Sequence, residues 1–364
     1  MYSQNDLDEA VSAGAITPES ATALRGFVER QRVSPAVDEE HFRLLTGFND
    51  IFVSIAAAIL LFAVGWIGQS IGQNLGLQID QNGPSPIAPA LIAATAWGLA
   101  LFFTARRRMA LPSILLLLAF VGGVVAATGF LGALMIGEER IDDDASQWIG
   151  GLIATFAAGF GALAAWFHWR QFKVPITVAA GAASVAGLIV ALLVSVVGEV
   201  GNLEQIVLGA VLVLGLAMFV YAMRWDSSDP ARTTRRSDVA FWLHLLAAPM
   251  IVHPIFTLLG LNDGDATIAE GLAVVAIYIA LGIAALAIDR RALLVSALAY
   301  VLYALNELFE QFGAVSLNIA LTALVIGSAL LLLSAFWHQA RSGIVERLPG
   351  ALRDYLPQVS PRPA

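Results

Sequence analysis

Ten stretches of this chain are apolar and long enough to cross the hydrocarbon core of a bilayer. They lie near residues 51–69, 87–105, 111–136, 148–168, 174–198, 205–223, 239–260, 268–288, 292–312 and 317–338. A crossing helix needs roughly 20 mostly apolar residues. With no water at hand, its backbone must satisfy its own hydrogen bonds, which a helix does. The pattern therefore predicts an all-α fold, a polytopic transmembrane helical bundle of about ten spans. Composition agrees: 58% of the 364 residues are hydrophobic and 13% charged, whereas soluble domains carry about 25% charged residues. The ninth stretch is the weakest, because Asn306, Glu307 and Glu310 load its end.

The connecting segments predict orientation. Arg and Lys accumulate in cytoplasmic loops. With the N-terminus inside, the inner segments hold Arg25, Arg30, Arg32 and Arg43, then Arg106–Arg108, then Arg170 with Lys173. Next come Arg224, Arg232, Arg235 and Arg236, then Arg290 with Arg291, and in the tail Arg341, Arg347, Arg353 and Arg362. That is 19 of the 20 basic residues; Arg140 falls on the other side. Losing or adding one span would scramble the alternation, so the pattern predicts an even count with both termini inside. Seven of the eight tryptophans, Trp66, Trp148, Trp166, Trp169, Trp225, Trp242 and Trp337, fall near span ends, as interfacial indoles do; Trp97 lies mid-span.

Three regions follow: residues 1–49, an N-terminal cytoplasmic helical hairpin and interfacial lead-in; 50–338, the transmembrane domain; and 339–364, a cytoplasmic amphipathic tail. No secretory signal is expected, since acidic residues run through the first 49 positions without an apolar core. In the hairpin, Gly14 reads as a helix end and Thr17-Pro18-Glu19 as a start. Thr17 would cap the free N–H groups, and Pro18 needs none at the first helical position. In the tail, Ile344, Leu348, Leu352 and Leu356 recur at helical spacing, the pattern of a helix lying in the interface.

The string LDEAVSAGAITPESATAL, Leu7 to Leu24, followed by many spans, resembles an uncharacterised bacterial family of membrane proteins, domain of unknown function 2157. The resemblance implies a multi-spanning architecture and brings no activity, cofactor or site residue with it.

A weak repeat is visible: RRRMALPSI, RQFKVPITV and DRRALLVSA each follow an even-numbered span and open the next. Positive-inside charge at fixed span length would produce the same look without ancestry.

Among the spans, the seventh is the most unusual, DVAFWLHLLAAPMIVHPIFTLLG, with His244, Pro249, His253 and Pro254. Ionisable groups in a membrane are costly and commonly face the bundle interior. Each proline withholds a hydrogen bond from the carbonyl four residues back, here Leu245 and Met250. The histidines are nine residues apart, about 13.5 Å along the axis and on opposite faces, so they cannot share a metal ion. The functional reading is a kinked gating helix; the structural one is a histidine bonded to a neighbouring helix.

Glu270, Asn306, Glu307 and Glu310 form a second set at the outer ends of spans eight and nine, either the mouth of a cation or proton pathway or ordinary cap and loop residues. The outer loops are acidic throughout, and IDDDAS lacks the alternation, turn glycine and distal Glu of a calcium loop. The stripes Ala179-Ala183-Gly187, Gly122-Ala126 and Ala323-Gly327 read as packing faces.

With no cysteine, thiolate catalysis, disulfides and cysteine-ligated metals are excluded. No hydrolase, zinc-protease or phosphate-loop motif is present, and the Arg clusters are explained by orientation rather than nucleic acid. The expectation is a non-catalytic bacterial inner-membrane protein without cofactor or metal, its partners the lipid bilayer and a protein bound through residues 1–33, in an assembly or regulatory role. The alternative is a secondary transporter or permease for a small solute or ion, using the Pro-kinked seventh span.

Overall fold

In a computed structural model of the chain, the residues described are 11–24, 48–80, 83–137, 146–198, 200–229, 234–260, 268–291, 294, 298, 302, 318–353 and 356. Every regular element among them is helical. The ninth expected span, with Asn306, Glu307 and Glu310, lies almost wholly outside the described residues.

The chain divides into two units, Met1–Arg43 with Ser360–Ala364, and Leu44–Val359. In the first, Gly14 adopts φ 72°, and Thr17 Oγ1 accepts the Ser20 N–H at 3.2 Å. That is the cap expected from Thr17-Pro18, which starts the helical residues 18–24.

The second unit is built from α1 (Phe48–Asn74), α2 (Ile87–Phe103), α3 (Ala110–Ile136), α4 (Ser146–Phe172), α5 (Ile176–Val197) and α6 (Leu203–Ser227). It continues with α7 (Arg235–Leu258), α8 (Ile268–Ile288), α9 (Asn318–Ala335), α10 (Trp337–Val345) and α11 (Gly350–Arg353). Among the described residues six helices, α1 and α3 to α7, are long and apolar enough to cross a membrane, and a seventh joins them if the bent pair α9–α10 is one span. The chain is thus a helical, multi-pass membrane protein. Its α2 is apolar but has 17 residues, reaching about 26 Å against the roughly 30 Å of hydrocarbon. It stops at Phe103, short of the expected 105, because the Ala105 N–H turns back to the Ala100 carbonyl at 3.0 Å.

The tenth stretch departs from expectation. It bends by 72° at Phe336, so α10 begins at Trp337, inside what reads as the last span.

Helices joined by basic turns pack as pairs: α2 on α3, α4 on α5, and α6 on α7. Arg108, Lys173 and Asp289 sit at φ 53°, 55° and 57°, the left-handed conformation that ends a helix. Lys173 N–H bonds the Trp169 carbonyl at 3.1 Å. At Asp289 the motif is fuller: Arg290 N–H reaches the Ala285 carbonyl at 2.9 Å and Asp289 N–H the Leu286 carbonyl at 3.3 Å. These turns gather at one end of the bundle. Trp97 of α2 meets Phe172 edge to face at 5.1 Å, and Trp242 near the start of α7 packs on the cluster containing Ile176.

Backbones touch where glycine permits. A Cβ on Gly215 of α6 would lie 2.9 Å from the Met250 carbonyl oxygen of α7, and one on Gly123 of α3 would lie 2.7 Å from that of Pro89. The stripe read at Gly122-Ala126 is displaced by one residue: Gly122 is exposed and Gly123 makes the contact. Gly327 meets no neighbour within 4 Å, while Gly187 makes an ordinary contact with Ala158 at 3.9 Å.

Candidate functional site: a buried charge network

The turn that closes α8 sends two adjacent side chains into different contacts. Arg290 reaches Asp226 in the last turn of α6, donating from Nε to Oδ2 at 3.1 Å and from Nη2 to Oδ1 at 2.5 Å. The second nitrogen also reaches the Ser237 carbonyl and hydroxyl in the first turn of α7, each at 3.3 Å. His244, two turns deeper in α7, brings Nε2 to 3.2 Å from the same Asp226 Oδ2. Arg290 and Asp226 are each 2% exposed and His244 is fully buried. One carboxylate is therefore shared by a permanent cation, held in bidentate geometry, and by an imidazole nitrogen.

Asp289 makes the second arm. Its Oδ1 accepts the indole N–H of Trp337 at 2.7 Å and lies 3.7 Å from Nε of Arg341. Arg341 and Trp337 are both buried, and the Arg291 guanidinium covers the indole ring at 4.9 Å. These contacts hold α10 against the end of α8. Asp is one of the few residues besides glycine that enter the left-handed conformation; here the backbone ends the helix while the carboxylate anchors its neighbour.

A third polar contact joins α4 to α5. His168 Nδ1 lies 3.1 Å from Thr177 Oγ1, and the ring packs among Phe172, Phe120 and Trp97 at centroid distances of 4.6, 6.0 and 6.2 Å. Trp97, mid-span in the sequence, thus belongs to an aromatic core.

The residues singled out from sequence separate. His244 enters the network, whereas His253 is exposed on the opposite face of α7, as nine-residue spacing requires. Pro249 is exposed and Pro254 buried, and α7 runs through both as one helix. The carbonyl freed by Pro254, that of Met250, lies against Gly215, where a Cβ would come within 2.9 Å of its oxygen. Glu270 lies in the first turn of α8. Asn306, Glu307 and Glu310 lie outside the described residues, so the set they form with Glu270 is not assembled here.

Arg290 and Arg341, read only as part of the basic alternation, are also buried beside carboxylates. One sequence reading needs correction. Trp337, read as an interfacial anchor, is 3% exposed. Asp226, Asp289 and His168 were missed. Asp226 and Asp289 each stand within a basic turn, WDSSDPARTTRR and IDRRA, where a carboxylate inside a positive loop was the available signal. Among the described residues no three His, Asp or Glu side chains converge as a metal ion would need.

No family model, no curated protein and no solved structure matches this chain.

Proposed function

We propose that the chain is a non-catalytic, ten-span protein of a bacterial inner membrane, with both termini in the cytoplasm, that acts as a secondary transporter or permease for a small solute or ion. The observation that carries the transport reading is the Asp226 carboxylate shared by Arg290 and His244 between α6, α7 and the end of α8. A buried ion pair is a poor way to gain stability, because desolvation offsets most of its attraction. Asp226 and Arg290 stand at helix ends, at the mouth of the bundle, and His244 carries their contact two turns into the membrane-spanning α7, where an ionisable side chain is costly and commonly functional. Proton exchange at His244 changes the charge opposite Asp226 and so the hold between helices, which is what a coupled gate needs.

The topology is supported by the gathering of the basic turns after α2 and α4 at one end, together with the alternation of 19 of the 20 basic residues. Full-length protein in proteoliposomes, offered a panel of ions and small solutes with and without a proton gradient, should take up at least one. D226N should abolish uptake and H244A should remove its dependence on the gradient. Wild-type vesicles that move nothing under any gradient would sink the transport reading.

The assembly reading is favoured by a separate observation: Met1–Arg43 with Ser360–Ala364 forms a unit distinct from the membrane body. On that reading, and on the resemblance of Leu7–Leu24 to domain of unknown function 2157, this unit binds a protein partner. A partner recovered in mild detergent should be lost on deleting residues 1–33; recovery of the same partner by the deleted chain would count against it.

A further inference from the structure

The four basic turns at the inner end of the bundle are not equivalent. In the two later ones the cations have carboxylates beside them: Asp226 pairs with Arg290, Asp289 lies against Arg341, and Asp229 and Asp238 flank Arg235 and Arg236 in sequence. The two earlier turns carry none in their own sequence. Residues 97–116 and 160–181 contain no Asp or Glu, yet carry Arg106, Arg107, Arg108, Arg170 and Lys173, all exposed.

Three of these five lie over aromatic rings of their own helix ends. The Arg107 guanidinium sits 5.5 Å from the Phe102 centroid, that of Arg170 5.1 Å from Trp166, and the Lys173 ammonium 5.3 Å from Trp169. Phe102 and Trp166 are themselves exposed, at 43% and 49%, on faces of apolar helices. Rings so placed lie where hydrocarbon meets headgroup, and the cations clipped to them lie at the level of lipid phosphate. The turns are neighbours, since the rings of Trp97 of α2 and Phe172 of α4 meet edge to face at 5.1 Å and Phe103 and Phe172 pack on one cluster.

We propose that the adjoining α2–α3 and α4–α5 turns form a binding site for the headgroup of an anionic phospholipid, with Arg106, Arg107, Arg108, Arg170 and Lys173 supplying the positive charge. Five like charges on neighbouring turns repel each other, and a phosphate between them relieves that repulsion while accepting their N–H groups. A lipid is the occupant rather than free phosphate because the rings beneath the cations fix their depth and offer apolar contact to acyl chains. The site does not depend on transport.

The test uses the full chain in mild detergent, with lipid binding read by native mass spectrometry and by thermal shift. Phosphatidylglycerol, phosphatidylcholine and inorganic phosphate are compared as added ligands. Phosphatidylglycerol should bind at least about tenfold more tightly than phosphatidylcholine. Each cation near an anionic leaflet is worth roughly a factor of five. The triple variant R107Q/R170Q/K173Q should therefore lower binding about 100-fold, while the charge-retaining R107K/R170K/K173R and the distant R235Q/R236Q keep it. Should the triple variant fail to accumulate, R106Q/R108Q, which leaves every ring contact intact, should weaken binding about 25-fold. Equal binding of the two lipids, unchanged binding by the Gln variants, or inorganic phosphate matching the lipid would each overturn the proposal.

Discussion

At the scale of single residues, the decisive feature is that Asp226 and Arg290 are buried together, 64 positions apart in sequence. Neither is tolerable alone: removing one partner strands a charge out of water, at a cost of about 3–5 kcal/mol. Replacing both with apolar groups removes the desolvation cost as well as the attraction. D226N should therefore lower stability by several kcal/mol, and R290Q similarly. The double variant D226L/R290M should recover much of the loss, with a coupling energy of about 1–3 kcal/mol. Thermal unfolding of the four proteins in one detergent measures the cycle; singles that add without coupling would mean that the pair is not formed. H244A should cost less, about 1–3 kcal/mol, because Asp226 keeps its bidentate partner.

At the scale of elements, the helices pack as pairs around turns, and their closeness is set by a few small residues. Gly215 faces the Met250 carbonyl that Pro254 leaves without its helical donor, so one glycine and one proline act as a matched set between α6 and α7. A Cβ at Gly215 would meet backbone rather than a flexible side chain, and backbone cannot step aside. G215A should destabilise by about 1–3 kcal/mol and G215L by more, since α6 must move out and carry Asp226 away from His244. G122A, at an exposed position of α3, should leave stability within about 0.5 kcal/mol of the parent. Equal unfolding temperatures for G215L and G122A would show that α6 and α7 do not touch there. This contrast also marks a limit of sequence reading. Small residues announce that helices approach closely, but Gly122 and Gly123 are neighbours, and only rotation about the helix axis decides which is at the contact. Two of the left-handed turn residues were equally hidden, since Arg108 and Lys173 are not the residue types that usually adopt that conformation.

At the scale of the molecule, span positions are legible because apolar length is a one-dimensional property: α1 and α3 to α7 overlap the stretches read from hydrophobicity. The buried network is legible only through His244, which stands out against an apolar background. Arg290 and Arg341 hide among cations that the positive-inside rule already explains, and only the fold shows that they are also paired with carboxylates. The last stretch shows how apolar length can mislead, because α9 and α10 read as one run yet turn by 72°. That bend matters for the span count. If α9 crosses the membrane and α10 lies along its inner face, held by Asp289 through Trp337 and Arg341, the tail ends on the cytoplasmic side with α8. The opposite arrangement would put the basic tail outside and pull α10 from a partner to which it is bonded. A chain without cysteine offers a direct test by single-cysteine labelling. D265C, in the loop before α8, should react with an impermeant maleimide from the periplasmic side of intact cells. A364C should react only after the membrane is opened. Labelling of both from one side would remove a crossing between them, and with it the ten-span topology.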